Sequence, residues 1–406
     1  MRMSRKIYVE SYGCTLQKSE TGLYTNSIME DGDTIVQNPE DADLRIIGTC
    51  AVIKKTEDHM IRRIGELSDS GKTMVIGCLP PVTLGSLKEK NVDVIGNVEF
   101  RDLYRGKLDD IQIREPSILD GIPINQGCTG SCNYCISRIA RGKLLSRPVD
   151  KIRGQALMQI SRGIREIRIS SLDTAAYGKD IGIRLPELIR HILTIDEDFM
   201  LRVGMMEPKN TAEIIEPLIE AYRNRKVFKF LHIPVQSGDN RILDLMNREY
   251  EVETYFDIVR RFREDFHDAV ISTDIIAGYP GDDEESFENT YKLLEISRPD
   301  IVNITRFSPR QYTKDFGKKT PPSNLIKRWS QEFTELHHRI IEESYSSLIG
   351  RTKRVMITEM GKNNTSVGRD ESYRPVVVPG AHQKYSWINA EIVETGPTYL
   401  IGKITG

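Results

Sequence analysis

Gly127-Cys128-Thr129-Gly130-Ser131-Cys132-Asn133-Tyr134-Cys135 is the stretch whose chemistry orders the rest of the chain. Its spacing, Cys-x3-Cys-x2-Cys, offers three thiolates to one metal centre. An iron–sulfur cluster held by four thiolates is coordinatively closed, whereas three leave one iron open to a substrate or cofactor. A structural zinc site needs a fourth Cys or His close by. The next histidine is His191, and the other cysteines all lie upstream. A disulfide framework fits poorly, because three is odd and the composition is not that of a small secreted scaffold. The spacing points to an open iron–sulfur cluster.

The chain around this motif has 406 residues, 39% hydrophobic and 29% charged. That length exceeds one ordinary core and predicts two or three domains. No apolar run approaches the roughly 18 residues of a membrane span, and Met1-Arg2-Met3-Ser4-Arg5-Lys6 leads into a strand, not a signal peptide. The expectation is a cytoplasmic protein with no membrane partner. With a net charge of only −2, any nucleic-acid binding must come from local patches.

Upstream, residues 6–10, 44–48 and 73–76 read as strands and 18–30 and 52–67 as helices, the alternation of a parallel α/β sheet. A cysteine follows each strand: Cys14 after Tyr12-Gly13, Cys50 after Gly48-Thr49, and Cys78 before Leu79-Pro80. Ligands bind beyond the carboxyl ends of such strands. Singly, each cysteine reads as a small buried hydrophobe; as a set at three strand ends they predict a second three-thiolate cluster.

Downstream, strands are expected at 122–125, 166–170, 200–204, 229–232, 270–276 and 301–306. Helices are expected near 149–162, 185–195, 211–222, 253–265 and 284–297. Six strand–helix repeats suit a partial or complete β/α barrel, with working residues on loops at the strands' carboxyl ends. The cysteine motif follows the first of these strands.

With these residues in view, Cys128-x3-Cys132-x2-Cys135 resembles the radical S-adenosylmethionine superfamily, and the upstream cysteines narrow the resemblance to its methylthiotransferases. Asp173-Thr174-x-Ala176-Tyr177-Gly178-x-Asp180, His232-Ile233-Pro234-Val235-Gln236-Ser237-Gly238, Thr273-Asp274 through Gly278-Tyr279-Pro280-Gly281, and Gly368-Arg369 with Tyr373-Arg374-Pro375 look like the same family. The resemblance covers nearly the whole chain. It implies two [4Fe-4S] clusters. Cys128, Cys132 and Cys135 would hold one whose open iron chelates S-adenosyl-L-methionine, which one electron cleaves to a 5′-deoxyadenosyl radical. Such an oxidant suits an unactivated C–H bond, which no side-chain base can deprotonate. Cys14, Cys50 and Cys78 would hold an auxiliary cluster that carries the methylated sulfur.

Cofactor contacts are expected from Tyr134, whose ring could face adenine or its own loop, and from Ser170, Ser171 and Asp173 after the second strand of the central domain. There Leu172 replaces the Gln or Glu usual in relatives. Gln236 is a polar partner for cofactor or substrate base, or a loop residue bonding its own backbone. Tyr279-Pro280-Gly281 reads as a tight turn. The basic run from Arg138 through Arg141 and Lys143 to Arg147 reads as a solvated face or, beside the cluster loop, a grip for phosphates. Ala140-Arg141-Gly142 and Val203-Gly204-Met205 resemble the archaeal and eukaryotic branch that acts on threonylcarbamoyladenosine in tRNA. Ser308-Pro309-Arg310-Gln311-Tyr312-Thr313 departs from its pattern.

After a helix at 322–348 closed by Gly350, strands are expected at 353–358, 373–378, 388–393 and 399–404, a small β-barrel similar to the RNA-binding TRAM domain. It is more basic than acidic, includes Arg369 and Arg374 as candidate RNA contacts, and carries Tyr373, Tyr385, Trp387 and Tyr399, on which bases could stack or which could be core. The expected layout is a methylthiotransferase domain at 1–110, a radical SAM core at 111–348 and the barrel at 349–406. The expected activity is methylthiolation of carbon 2 of N6-threonylcarbamoyladenosine at position 37 in the tRNA anticodon loop, served by an external electron donor and a sulfur donor. The alternatives are a methylthiotransferase for isopentenyladenosine or a ribosomal protein, or a non-catalytic iron–sulfur RNA-binding protein.

Overall fold

Ile46 and Ile47, and again Val75 and Ile76, are fully buried neighbours in sequence. Successive side chains of a strand point to opposite faces, so these strands must be covered on both. The computed structural model, which describes residues 4–52, 54–79, 92–96, 101–102 and 113–405, accounts for this. Five parallel strands, β1 (Lys6–Ser11), β2 (Thr34–Val36), β3 (Leu44–Thr49), β4 (Thr73–Gly77) and β5 (Val92–Val94), run in the order β2-β1-β3-β4-β5. Ile46 and Ile76 join Ile7, Leu23 and Tyr24 in one core, while Ile47 and Val75 join Met60, Ile64 and Leu67 in another. The expected boundary at 110–111, and Pro80, lie outside the described residues.

Helix α1 (Thr15–Ile28) starts three residues earlier than the sequence suggested, because Cys14 itself is the extended residue from which the helix springs. Helix α2 (Lys54–Asp69) buries Met60, Ile64 and Leu67, one stripe at helical spacing. The three-residue strands β2 and β5 escaped the sequence reading, being too short to show a period.

The chain forms two compact units: Met1–Arg162 with Arg168–Ile192 and Ser308–Gly317, and Gly163–Ile167 with Leu193–Phe307 and Lys318–Gly406. The first continues through β6 (Ile122–Pro123), β7 (Asn125–Gln126), α3 (Ile136–Arg141), β8 (Leu145–Ser146), α4 (Val149–Ser161), β9 (Glu166–Ser170), whose first two residues belong to the second unit, and α5 (Leu185–Leu193), whose last residue does. Ile122 and Pro123 pair in parallel with Ile169 and Ser170, while β7 and β8 pair antiparallel.

The second unit holds β10 (Met200–Val203), α6 (Pro208–Ala212), α7 (Ile215–Tyr222), β11 (Phe230–His232), α8 (Asn240–Leu245), α9 (Val252–Asp265), β12 (Val270–Ala277), α10 (Glu284–Ser297), β13 (Ile301–Arg306) and α11 (Ser323–Ser346). Strands β11, β12 and β13 are parallel neighbours. A closed barrel follows, β14 (Thr352–Met360), β15 (Thr365–Asp370), β16 (Pro375–Pro379), β17 (Trp387–Thr395) and β18 (Leu400–Ile404), in the order β14-β15-β16-β18-β17. Its interior of Val355, Ile357, Val376, Val378, Ala390, Ile392 and Leu400 is continuous with Ile341, Tyr345 and Leu348. Strand β15 was not expected. Its signal is Asn363-Asn364, both at positive φ as a tight hairpin turn demands. Tyr373 and Arg374, expected in a strand, form a turn in which Asp370 accepts the Ser372 and Arg374 amides. Helix α11 is capped at Ser347, ahead of Gly350.

Candidate functional site

Both cysteine trios lie in the first unit. In the strand order β2-β1-β3-β4-β5 the topology switches between β1 and β3, and ligand crevices form at such switch points. Cys14 follows β1, Cys50 follows β3 and Cys78 follows β4, so three adjacent strands deliver one thiol each to one edge. Close backbone approach makes this possible. Gly13 has φ +103°, and a Cβ there would lie 3.0 Å from the Cys50 Cβ. Gly77, at φ +110°, would put a Cβ 2.5 Å from the Thr49 carbonyl oxygen. The Cys78 amide donates to that carbonyl at 3.1 Å. Burial pushes the Cys50 thiol up to about 11, with the Cys78 and Cys14 sulfurs adding to the rise.

The second trio is local. Gly127 at φ +75° turns the chain against Gly142 and Lys143, the Cys128 amide donates to the Gly142 carbonyl at 3.2 Å, and the Cys135 amide to that of Cys132 at 3.2 Å. The Gly130 amide donates to Cys128 Sγ at 3.1 Å. A Cβ at Gly130 would sit 3.3 Å from Cys128 Sγ and 3.9 Å from Cys132 Sγ, so this glycine leaves the space between two thiols clear. Burial, then the Asp173 carboxylate, pushes the Cys128 thiol up to about 12. Thiols held neutral by burial ionise when a cation replaces the proton. Among the described residues no three His, Cys, Asp or Glu side chains are drawn close enough to hold a bare metal ion. A cluster with its own iron–sulfur framework spreads its thiolates wider. The all-sulfur donor set fits that group at both trios, and at the loop trio Gly130 leaves room for it.

Ser170, Ser171 and Asp173 are buried at the carboxyl end of β9. Ser171 Oγ accepts the Asp173 amide at 3.1 Å, and Asp173 Oδ1 accepts the Ala175 amide at 3.0 Å. Both side chains thus shape the turn in which Asp173 faces Cys128. Tyr134 is half-buried in the cysteine loop. Gln236, in the second unit, adopts φ +72°, strained for a side-chain-bearing residue, and is pinned by its amide to the Asp274 carbonyl at 2.8 Å. Beside it His232 Nε2 lies 3.1 Å from Asp274 Oδ1, which also accepts from Asn303 at 2.7 Å, a polar ladder across β11, β12 and β13.

The basic run divides. Arg138 and Lys143 are exposed and line a cavity of about 590 Å³ with Cys128, Thr129, Gly130 and Lys179. Arg141 and Arg147 are buried, which corrects the phosphate-grip expectation for Arg141. Arg141 is ion-paired with Glu20, bonded to Gln17 Oε1, and donates Nε–H to Cys78 Sγ at 3.2 Å. Arg147 donates to the Pro123 carbonyl at 2.8 Å and to Gln155 at 2.9 Å. The departure at Ser308–Thr313 also acquires a physical role, since buried Arg310 forms an ion pair with buried Glu57 of α2.

In the barrel, Arg374 is 4% exposed and faces Asp268 at 3.1 Å, Asp370 at 3.4 Å and Asp300 at 3.6 Å, so it serves the fold and not RNA, a second correction. Arg369 is half-buried with its guanidinium 5.0 Å from the Tyr373 ring. Tyr373, Tyr385 and Trp387 pack on a core of Met200, Phe228, Phe230, Val270 and Met356. The sequence did not single out Arg354, which lies 4.0 Å over Trp387 beside a hollow of about 200 Å³.

Three family profiles match in series: "Uncharacterized protein family UPF0004" over residues 6–96, "Radical SAM superfamily" over 122–294 and "TRAM domain" over 346–405. A radical S-adenosylmethionine methyltransferase, TsrM from Kitasatospora setae, solved with cobalamin and a [4Fe-4S] cluster, superposes with TM-score 0.55 at 12% identity over 77% of each chain and so shares the fold. The central repeat is thus the radical SAM partial (β/α) barrel, between the open parallel sheet and the TRAM barrel. A protein of Archaeoglobus fulgidus named "Probable threonylcarbamoyladenosine tRNA methylthiotransferase" is 37% identical over 98% of both chains. Its counterpart in Pyrococcus horikoshii is 35% identical over 98% of this chain and 99% of its own. The Homo sapiens "Threonylcarbamoyladenosine tRNA methylthiotransferase" is 30% identical over 98% of this chain and 74% of that protein. With three matching domains in order and similarity from end to end, the chain belongs to the radical SAM family of threonylcarbamoyladenosine tRNA methylthiotransferases.

Proposed function

We propose that this chain is the transferase that installs a methylthio group on carbon 2 of N6-threonylcarbamoyladenosine at position 37 of tRNA. The observation that carries this is end-to-end similarity to proteins of that name. The two separate cysteine trios support it.

In this reading residues 1–110 form the methylthiotransferase domain, 111–348 the radical SAM core and 349–406 the RNA-binding barrel. Cys128, Cys132 and Cys135 hold one [4Fe-4S] cluster and Cys14, Cys50 and Cys78 the other. Bound there, the clusters and S-adenosyl-L-methionine supply one-electron chemistry and an activated methylthio sulfur. The chain's own residues do the rest. Asp173, Ser171 and Ser170 set the turn beside the cofactor, and Tyr134 covers it. Arg138 and Lys143, exposed at the cavity rim, meet tRNA phosphates, and the Arg354–Trp387 stack offers a face for a base. A loop nucleotide suits such a site because it can be unstacked at modest cost. The electrons and the sulfur come from outside donors. Among the described residues no helix is long and apolar enough to cross a membrane. The proposed place of work is the cytoplasm.

Nucleoside mass spectrometry of tRNA from a deletion strain tests the substrate. Loss of methylthiolated threonylcarbamoyladenosine, restored by the wild-type gene and not by Cys128→Ala, is expected. An unchanged nucleoside pool would remove the assignment, and loss of methylthiolated isopentenyladenosine instead would redirect it.

A further inference from the structure

Arg141 is unusual for a buried cation in having a sulfur among its partners. It closes the six-residue helix α3, which begins at Cys135 of one trio and ends beside Cys78 of the other. Its guanidinium is divided three ways: one nitrogen pairs with Glu20, another bonds Gln17 Oε1, and Nε–H donates to Cys78 Sγ at 3.2 Å. Glu20 and Gln17 both belong to α1, the helix that springs from Cys14. All are almost completely buried, Arg141 at 2%, Glu20 and Gln17 at 1% and Cys78 at 7%. The Arg141 carbonyl is held as well, accepting from Arg101 at 3.2 Å.

Such burial of an arginine is costly unless each donor is satisfied and the charge neutralised. Glu20 supplies the neutralising charge. That leaves the Nε–H as a donor aimed at one sulfur, with donor and acceptor both buried. Hydrogen bonds to ligating sulfurs draw electron density from them and favour the reduced, more negative state of a cluster.

We propose that Arg141 is a positioning residue of the auxiliary cluster, aimed by Glu20 and Gln17 to hold the Cys78 sulfur and to raise the cluster's reduction potential. The proposal rests on the reading that Cys14, Cys50 and Cys78 hold a cluster, and it gives a role to a residue whose charge suggested RNA.

The test uses full-length protein, reconstituted without oxygen, in which Cys128, Cys132 and Cys135 are alanine so that only the auxiliary cluster reports. Electrons come from dithionite and the reduced cluster is followed by electron paramagnetic resonance. Arg141→Met with Glu20→Gln removes both buried charges together, which avoids stranding a carboxylate. This pair is expected to make the cluster about tenfold harder to reduce, a shift of about 59 mV to more negative potential for one electron. An unchanged potential with full iron content overturns the proposal. Absence of iron from the background protein with Arg141 and Glu20 intact would instead overturn the cluster reading itself. A measurement that needs no Arg141 variant covers the case in which the pair fails to fold. With ¹⁵N-labelled arginine, the reduced cluster should show a nitrogen hyperfine coupling, and its absence overturns the proposal equally.

Discussion

Two sets of three cysteines, proposed above to hold one cluster each, are brought together by opposite routes. Cys128, Cys132 and Cys135 are gathered by a single loop, with Gly127 turning it and Gly130 clearing its centre. Cys14, Cys50 and Cys78 arrive from three strand ends and meet only when β1, β3 and β4 pair. The first arrangement is written in adjacent residues, the second in a topology. The loop trio should therefore tolerate damage to the sheet, while the strand-end trio should register every fault in it.

The largest expected break is chemical. Cys128→Ala should abolish both cofactor cleavage and methylthiolation, whereas Cys14→Ala should retain cleavage and lose methylthiolation. Quantifying 5′-deoxyadenosine and modified nucleoside in one assay separates the two, and methylthiolation surviving Cys14→Ala would sink the division of labour. Next comes Arg310→Met. Leaving the buried Glu57 carboxylate on α2, just past Cys50, with only the exposed Lys54 ammonium 3.7 Å away should cost about 3 kcal/mol, read as a lowered urea midpoint. Iron should be lost first from the strand-end trio, leaving about half of the wild-type content.

Gly13→Ala is milder. A side chain at φ +103° and 3.0 Å from the Cys50 Cβ should cost about 1–3 kcal/mol and lower iron content at the strand-end trio alone. Equal loss from both trios would show that they are not independent. The smallest effect is a control in the second unit, at Lys229. Burial lowers its pKa to about 8, while its ammonium donates to the Asn224 and Val227 carbonyls. Between about pH 8 and its unfolded value near 10.4 the unfolded chain binds the extra proton. Stability should therefore rise with pH across that window, by about 1–2 kcal/mol after allowing for partial exposure. Lys229→Met should flatten the rise and leave iron content untouched.

The same contrast explains what could be read before the fold was known. The loop trio and the long strands β9, β12 and β13 carry their signal within a few residues, in spacing and apolar runs. The strand-end trio was legible only as a set, through glycines beside strand ends. Arg141 was not legible. A charge run ordinarily faces water, and the Glu20 and Gln17 that draw it inside lie 121 and 124 positions away. Arg374 misled for the same reason, because Asp268 and Asp300 reach it only through the tertiary fold. Arg310 gave no sign of its partner Glu57 either. Strand β15 was hidden by polar residues, although Asn363-Asn364 announced its turn.

The buried setting of Arg374 reaches beyond the barrel in which it sits. Asp268 precedes β12 and Asp300 precedes β13, so one guanidinium fastens the barrel turn to two core strands, and the Tyr373 hydroxyl adds a bond to Glu166 at 2.6 Å. A domain moored in this way is not a hand on a flexible wrist. It is a bracket bolted at three points, Asp268, Asp300 and Glu166.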